Sequence, residues 1–66
     1  MTALLTQREA AQALRLSERT LERMRVAGNG PRFVRISRRS IRYPQQYVDA
    51  YVAARVVSST SQKETA

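Results

Sequence analysis

Residues 6–24 read TQREAAQALRLSERTLERM, and this stretch carries two helix start signals with a short interval between them. Thr6 and Glu9 have the spacing of a capping box, in which Thr6 is the N-cap and the Glu9 side chain returns to the Thr6 amide. This pattern predicts a first helix that ends near Leu14. Ser17 is a second good N-cap and predicts that another helix begins almost at once.

The second predicted helix ends before Gly28-Asn29-Gly30-Pro31, the strongest helix-breaking cluster in the chain. Two helices joined by about three residues have the geometry of a helix-turn-helix, whose second helix reads the major groove of DNA. Arg15 lies in the turn, where such motifs often have glycine, and a left-handed arginine there would cost roughly 1 kcal/mol relative to glycine. The positions expected to point inward are all apolar: Ala10, Ala11, Leu14, Leu16, Leu21 and Met24.

Two short β-rich runs, residues 33–36 and 41–43, flank the polar connection Ser37-Arg38-Arg39-Ser40. They predict a hairpin. With a period of two, Arg35 and Arg42 point to one side and form a cationic face. The opposite, apolar face is expected to hold Val34, Ile36, Ile41 and Tyr43.

Pro44 can open a third helix at its first turn, and apolar residues recur at helical spacing to about Val56. Tyr47 and Tyr51 lie one turn apart among valines, which favours a place in the core over stacking on single-stranded bases. Tyr43 is likewise expected to be structural.

Leu4 and Leu5 are expected to pack onto the first helix. We predict one DNA-binding domain over residues 1–56. Residues 57–66 are polar and aperiodic, and they predict a disordered tail.

The composition favours a polyanionic partner. Twelve Lys and Arg against five Asp and Glu give a net charge of +7, and the excess lies in residues 1–55. A GC-rich genome, which favours arginine codons, is the alternative explanation of composition alone, so the placement of the arginines has to decide between the two.

The inventory of side chains argues against an enzyme. The chain has no cysteine and no histidine, which excludes disulfides and removes the commonest zinc ligand and general base. The five acids are scattered, so we expect no catalytic residue, no metal and no cofactor. Without a membrane-length apolar run or a signal peptide pattern, the expected location is the cytoplasm.

The predicted second helix supplies the first set of candidate DNA contacts. Arginine can bind guanine bidentately, threonine can contact a thymine methyl group or a phosphate, and the amides at a helix start suit a phosphate. An ordinary solvated helix is the alternative. The candidates are Ser17, Arg19, Thr20 and Arg23.

The predicted hairpin supplies the second set. Its arginines concentrate positive charge on a thin projection that can follow a phosphate strand or enter the minor groove. A solvated turn is the alternative. The candidates are Arg35, Arg38, Arg39 and Arg42.

The chain resembles the excisionase/AlpA family over about residues 4–55. The segments that carry the resemblance are Leu4–Thr6, Ser17–Leu21, Gly30–Ile36, Arg38–Tyr43 and Val48–Tyr51. Ser37 departs from the family, which usually has glycine before the wing arginines. The resemblance implies a mainly α, MerR-like winged helix-turn-helix fold of three helices and a two-stranded β wing.

That resemblance also implies a function. It points to a prokaryotic, nucleoid-associated recombination directionality factor that binds repeated sites on double-stranded DNA, bends the DNA and helps a tyrosine integrase excise a prophage or mobile element. We expect cooperative, head-to-tail self-association on DNA. An AlpA-like transcriptional regulator, a protein-interaction module that uses the third helix, and an RNA-binding protein are the alternatives.

Overall fold

The computed structural model describes residues 3–57, which form three helices and a small antiparallel sheet. The elements are β1 (Leu4–Leu5), α1 (Gln7–Leu14), α2 (Glu18–Ala27), β2 (Val34–Ser37), β3 (Ser40–Pro44) and α3 (Gln45–Ala53). The expected winged helix-turn-helix fold is confirmed, with a third strand beside the two strands of the wing. The predicted tail, apart from Val57, lies outside the described residues.

Both helices of the helix-turn-helix begin where the sequence predicts. The Glu9 amide donates to Thr6 Oγ1 at 3.1 Å, and the Thr6 amide donates to Glu9 Oε1 at 2.9 Å. This is the reciprocal capping box, which satisfies two amides at the start of α1. Ser17 caps α2 without the reciprocal bond, because its hydroxyl accepts from the Thr20 amide.

The turn between α1 and α2 depends on a left-handed Arg15, with φ of 60° and ψ of 39°. The Arg15 amide donates to the Gln12 carbonyl at 3.1 Å, and the Leu16 amide donates to the Ala11 carbonyl at 2.8 Å. These two bonds form a Schellman motif, which ends a helix and reverses the chain within few residues. The left-handed conformation considered for Arg15 in the sequence is therefore the one that it adopts.

The core lies where α1 crosses α2 and where β3 and α3 close over that crossing. Leu14 and Met24, expected inside, are half-buried. Leu16 was also expected inside and is 36 % exposed, because it lies in the turn and not at the helix crossing. The buried hydrophobic residues that form the core are Ala10, Ala11, Leu21, Tyr43 and Val48.

β3 is the central strand of the sheet, in the order β1-β3-β2. Leu4 lies opposite Pro44 and Leu5 lies opposite Tyr43. Leu5 packs against the core, as expected of this segment, whereas Leu4 is 52 % exposed. The sequence did not predict the strand because two leucines are too few to show an alternation.

The predicted division of the wing into an apolar and a cationic face is wrong. Val34 lies opposite Arg42, and Arg35 lies opposite Ile41. Residues directly opposite each other share a face, so each face combines an arginine with apolar side chains. The alternation within each strand was read correctly, but alternation alone does not fix the register between two strands.

The wing turn explains part of this register. Ser37 lies opposite Ser40, which leaves Arg38 and Arg39 as a two-residue turn. The hairpin turns that match the twist of the strands need a positive φ, and in residues 3–57 positive φ occurs at Arg15 and Gly28 alone. The register shift between Arg35 and Ser37 accommodates the mismatch and leaves Ile36 58 % exposed.

α3 ends at Ala53, three residues before the predicted end. Val56 is 75 % exposed, so the last predicted turn has no tertiary packing to support it. Val48 is buried, while Tyr47 and Tyr51 are half-buried and not the full core residues that were expected. In the described part of the chain, no helix has the length and apolar character needed to cross a bilayer.

Candidate nucleic-acid interface

The start of α2 is fixed by two interlocked hydroxyl groups. Ser17 Oγ accepts from the Thr20 amide at 3.1 Å and donates to Thr20 Oγ1 at 2.9 Å. Thr20 Oγ1 therefore still has its own hydrogen to donate. Ser17 is exposed and Thr20 is half-buried, so capping is their first role and any contact to DNA is made from the edge of the helix.

The exposed face of α2 is the surface we call the α2 face. It is a shallow depression of about 370 Å³ bordered by Arg19, Glu22, Arg23 and Val26. Val26 is 76 % exposed, so its aliphatic side chain is available at this surface. Two guanidinium groups beside an aliphatic side chain can contact guanine edges and thymine methyl groups in a major groove.

The wing arginines lie along its backbone and at its tip. Arg38 and Arg39 form the turn and are exposed. Arg35 Nη1 donates to the Arg38 carbonyl at 3.3 Å, and Arg42 Nη1 donates to the Ile41 carbonyl at 2.7 Å. Each of these guanidinium groups uses one donor on the wing and keeps others for a ligand.

A groove of about 480 Å³ separates the wing from α2, and we call it the helix–wing groove. The four predicted wing arginines come together in it. Glu22 is its one carboxylate, and Glu22 also borders the α2 face, so the two surfaces are contiguous. The residues that line the groove are Gln7, Glu22, Arg25, Arg35, Arg38, Arg39, Ile41 and Arg42.

Arg25 is the groove residue that the sequence analysis missed. It is half-buried, its Nη2 lies 3.5 Å from Gln7 Oε1, and its Cζ lies 5.8 Å from the centroid of the Phe33 ring. A signal for it exists in the sequence: Arg25 follows Leu21 by one helical turn and therefore shares the inward side of α2. An arginine at such a position is a candidate for a role beyond solubility.

Two buried polar atoms beside the groove, Arg25 Nε and the Tyr43 hydroxyl, make no hydrogen bond of good geometry. The Arg25 guanidinium is nevertheless close enough to the Tyr43 hydroxyl to interact with it. Burial raises the pKa of Tyr43 above its usual 10.0, and the positive charge of the nearby Arg25 acts in the opposite direction. Tyr43 therefore stays a neutral phenol at physiological pH. An unpartnered buried polar atom is uncommon in proteins and calls for an explanation.

A third depression, of about 280 Å³, shares no lining residue with the helix–wing groove. Arg55 stacks on Tyr51 there, with its Cζ 3.6 Å from the ring centroid. The Tyr51 hydroxyl donates to the Asn29 carbonyl at 3.3 Å, and Arg32 lies 6.0 Å from the centroid of the Tyr47 ring. These tyrosine rings are engaged within the domain, which argues against a platform for unstacked bases.

Comparison with known proteins agrees with this geometry. A family model described as a helix-turn-helix domain matches residues 4–56, and this range covers both helices of the motif, the wing and α3. No curated protein matches the sequence.

Proposed function

The chain belongs to the helix-turn-helix domain family, a DNA-binding class, and from this premise we propose that it is an excisionase-type recombination directionality factor. One observation carries the proposal: the α2 face and the helix–wing groove are contiguous and bring six predicted arginine contacts to one surface. The resemblance to excisionase and AlpA proteins supports the finer assignment. The factor has no chemistry of its own in this proposal.

The two surfaces fit two parts of a DNA duplex. α2 enters the major groove, where Arg19 and Arg23 meet base edges, and the wing follows the adjoining phosphate strand or enters the minor groove. Ser17 and Thr20 contact the backbone beside the start of α2. A protein that holds both grooves from one side favours a bent duplex when the bend brings more phosphates to its arginines.

Cooperative binding is the second part of the proposal. One domain of this size reads few base pairs, so selectivity requires several copies on adjacent sites. Head-to-tail contacts between copies do not close on themselves and can continue along the DNA. The exposed valines at the end of α3, among them Val52 and Val56, offer a place for such a contact or for a tyrosine integrase.

Footprinting on the DNA that flanks the gene and the nearest attachment site tests the assignment. We expect protection of repeated short sites, a bend in the electrophoretic assay, and stimulation of excision by the integrase encoded nearby. An Arg19→Ala, Arg23→Ala double variant is expected to lose all three effects, whereas Arg8→Ala is the matched control, since Arg8 is exposed and lines neither surface. Equal affinity per site on duplexes with one, two and three sites would contradict cooperative binding.

An AlpA-like transcriptional regulator is the nearest alternative, because the same surfaces would serve a promoter. It predicts protection over a promoter and changed transcript levels, with no effect of the protein on excision by purified integrase. Both functions use the same DNA-binding surface. They differ in whether the bound DNA is then excised or transcribed at a changed rate.

A protein-interaction module is the alternative from another class. It is favoured by the depression beside α3, in which Tyr47, Tyr51 and Arg55 line a concave surface. It predicts that binding to random duplex DNA is weak and nearly independent of salt. An RNA-binding role would be recognised by effective competition from duplex RNA.

A further inference from the structure

Arg25 lies where three parts of the domain, α1, α2 and the wing, meet. It projects from α2, contacts Gln7 at the first position of α1, and lines the groove whose far wall is the wing. It also lies over the edge of the core, beside Phe33 and near Tyr43. An ion bound to Arg25 in this groove would therefore contact both DNA-reading elements at once.

The positive charge of Arg25 is poorly compensated inside the protein. Its Nε is buried without a hydrogen bond of good geometry, its interaction with Tyr43 is with a neutral hydroxyl, and the Nη2 contact to Gln7 Oε1 is at the long limit of 3.5 Å. Burying part of a charge is costly unless hydrogen bonds or a counter-ion offset the cost. The C-terminal turn of α2 favours a cation there, but that effect is small.

The surroundings of Arg25 would also concentrate an anion. The groove has five arginines and one carboxylate, and it is open to solvent. A guanidinium group binds a phosphate through two parallel N–H donors, and such charge-assisted bonds are about twice as strong as neutral ones. The chemistry that fits this groove is therefore a phosphate oxyanion.

We propose that the helix–wing groove binds a single DNA backbone phosphate, held by Arg25, and that this phosphate fixes the wing relative to α2. The inference rests on the proposed DNA-binding function and deepens it. DNA is the chosen source of the phosphate because the groove continues into the α2 face through Glu22, so a duplex seated on α2 passes the groove mouth. A free phosphate ion is the other source of the same chemistry.

Methylphosphonate substitution, which removes the charge from one backbone phosphate at a time, tests the proposal. With wild-type protein and a footprinted site, we expect one substituted position to lower the affinity about tenfold, the loss expected for one charge-assisted contact. Arg25→Gln is expected to lose about tenfold on unmodified DNA, and the same methylphosphonate should then cost almost nothing more. Arg8→Gln, the matched control, is expected to keep the wild-type profile.

Arg25→Lys is a second variant that separates loss of the phosphate contact from a folding defect in Arg25→Gln. Lysine keeps the charge without the bidentate geometry, so we expect intermediate affinity and a reduced penalty at the same position. The thermal midpoint of each variant reports any loss of folded protein. If both variants are folded and their methylphosphonate profiles match the wild type, Arg25 does not hold a phosphate.

The source of the phosphate is tested by the NMR signal of the Arg25 Nε–H group. We expect this signal to shift on adding the duplex and to stay unchanged with inorganic phosphate at constant ionic strength. A shift with inorganic phosphate alone would assign the groove to a free anion and overturn the proposal. Wild-type protein that binds no duplex would refute the proposed function itself, whereas binding without an Arg25-linked position refutes only this inference.

Discussion

Arg15 and Gly28 occupy the same position in two helix ends. Each is a left-handed residue that directly follows the last residue of its helix, with φ of 60° at Arg15 and 82° at Gly28. The amide after each one donates back to the helix, Leu16 to Ala11 at 2.8 Å and Asn29 to Met24 at 3.0 Å. One Schellman motif thus uses the residue best suited to it, and the other, inside the helix-turn-helix, uses an arginine.

Replacing Arg15 by glycine is therefore expected to stabilise the domain. Relief of the left-handed strain should raise the free energy of unfolding by about 1 kcal/mol, as measured by urea titration. Arg15→Ala is the control, because it removes the charge but keeps the strain, and it should change little. Gly28→Ala should lower the free energy of unfolding by about 1 kcal/mol. The cause is the left-handed backbone and not a clash, since an added Cβ at Gly28 meets no atom within 4 Å. If Arg15→Gly leaves the free energy of unfolding unchanged, the arginine side chain itself stabilises the turn.

Sequence preference and general affinity should separate between α2 and the wing. Arg23→Ala should cost roughly 1–3 kcal/mol on the specific site and relax the base preference, because Arg23 lies on the α2 face. Arg39→Ala, at the wing tip, should weaken specific and random duplexes to the same extent. Competition binding on both duplexes measures the two effects. Loss of affinity without loss of preference in Arg23→Ala would contradict the placement of α2 in the major groove.

Glu22→Gln is expected to tighten binding to random DNA. Glu22 is the one carboxylate in the helix–wing groove, and its charge repels the phosphates that the five arginines attract. Removing the charge should gain about 0.5–1 kcal/mol, and less at high salt. Asp49→Asn on α3, where the carboxylate accepts from Gln45 Nε2 at 3.0 Å, is the matched control and should leave binding unchanged. Weaker binding of Glu22→Gln to the specific site alone would instead assign Glu22 to a cytosine.

Salt should weaken binding steeply. If six to eight arginines are engaged with phosphates, the logarithm of the affinity should fall against the logarithm of salt concentration with a slope of roughly −5 to −7 per monomer. Fluorescence anisotropy at several salt concentrations gives this slope. A value shallower than about −2 would refute the view that these arginines face DNA.

The stability of the domain should fall in alkaline solution because of Tyr43. Its pKa is raised above 10.0 in the folded state, so above that pH the unfolded chain loses a proton that the folded protein keeps. The contribution is fully present below pH 10 and is lost as the pH rises through the folded pKa. Tyr43→Phe should reduce this loss and, since it removes a buried unpartnered hydroxyl, should be neutral or stabilising by about 1 kcal/mol at pH 7. Tyr47→Phe, at a half-buried ring, should retain the alkaline loss; equal behaviour of the two variants would contradict the assignment.

Local signals in the sequence were sufficient for the helices that carry the proposed site. The capping side chains of Thr6 and Ser17 and the glycine at position 28 act within a few residues, so their effect can be read from the chain alone. The same holds for the exposure of Arg19 and Arg23, which follows from the period of the helix.

Features that depend on distant pairing were not accessible in this way. The register that sets Arg35 opposite Ile41 depends on the wing turn and its irregularity, and the Leu5–Tyr43 pairing joins two ends of the domain. Arg25 was missed for a related reason. The spacing within α2 puts Arg25 on the inward side of the helix, but its place in the groove depends on where the wing folds back, which that spacing does not reveal.

The position of β3 between β1 and β2 has a consequence for how the domain folds during synthesis. Leu4 leaves the ribosome before α1, α2 and the wing, yet its strand partner Pro44 is the last residue of the second wing strand and is synthesised after α1 and α2. The capped helices depend on local contacts and can form early, whereas the central sheet has to wait for nearly the whole domain. A nascent chain halted before β3 would leave Leu5 and the α1–α2 crossing uncovered, a target for chaperones and proteases. The proposed DNA-binding surface is therefore completed only after β3 has been synthesised.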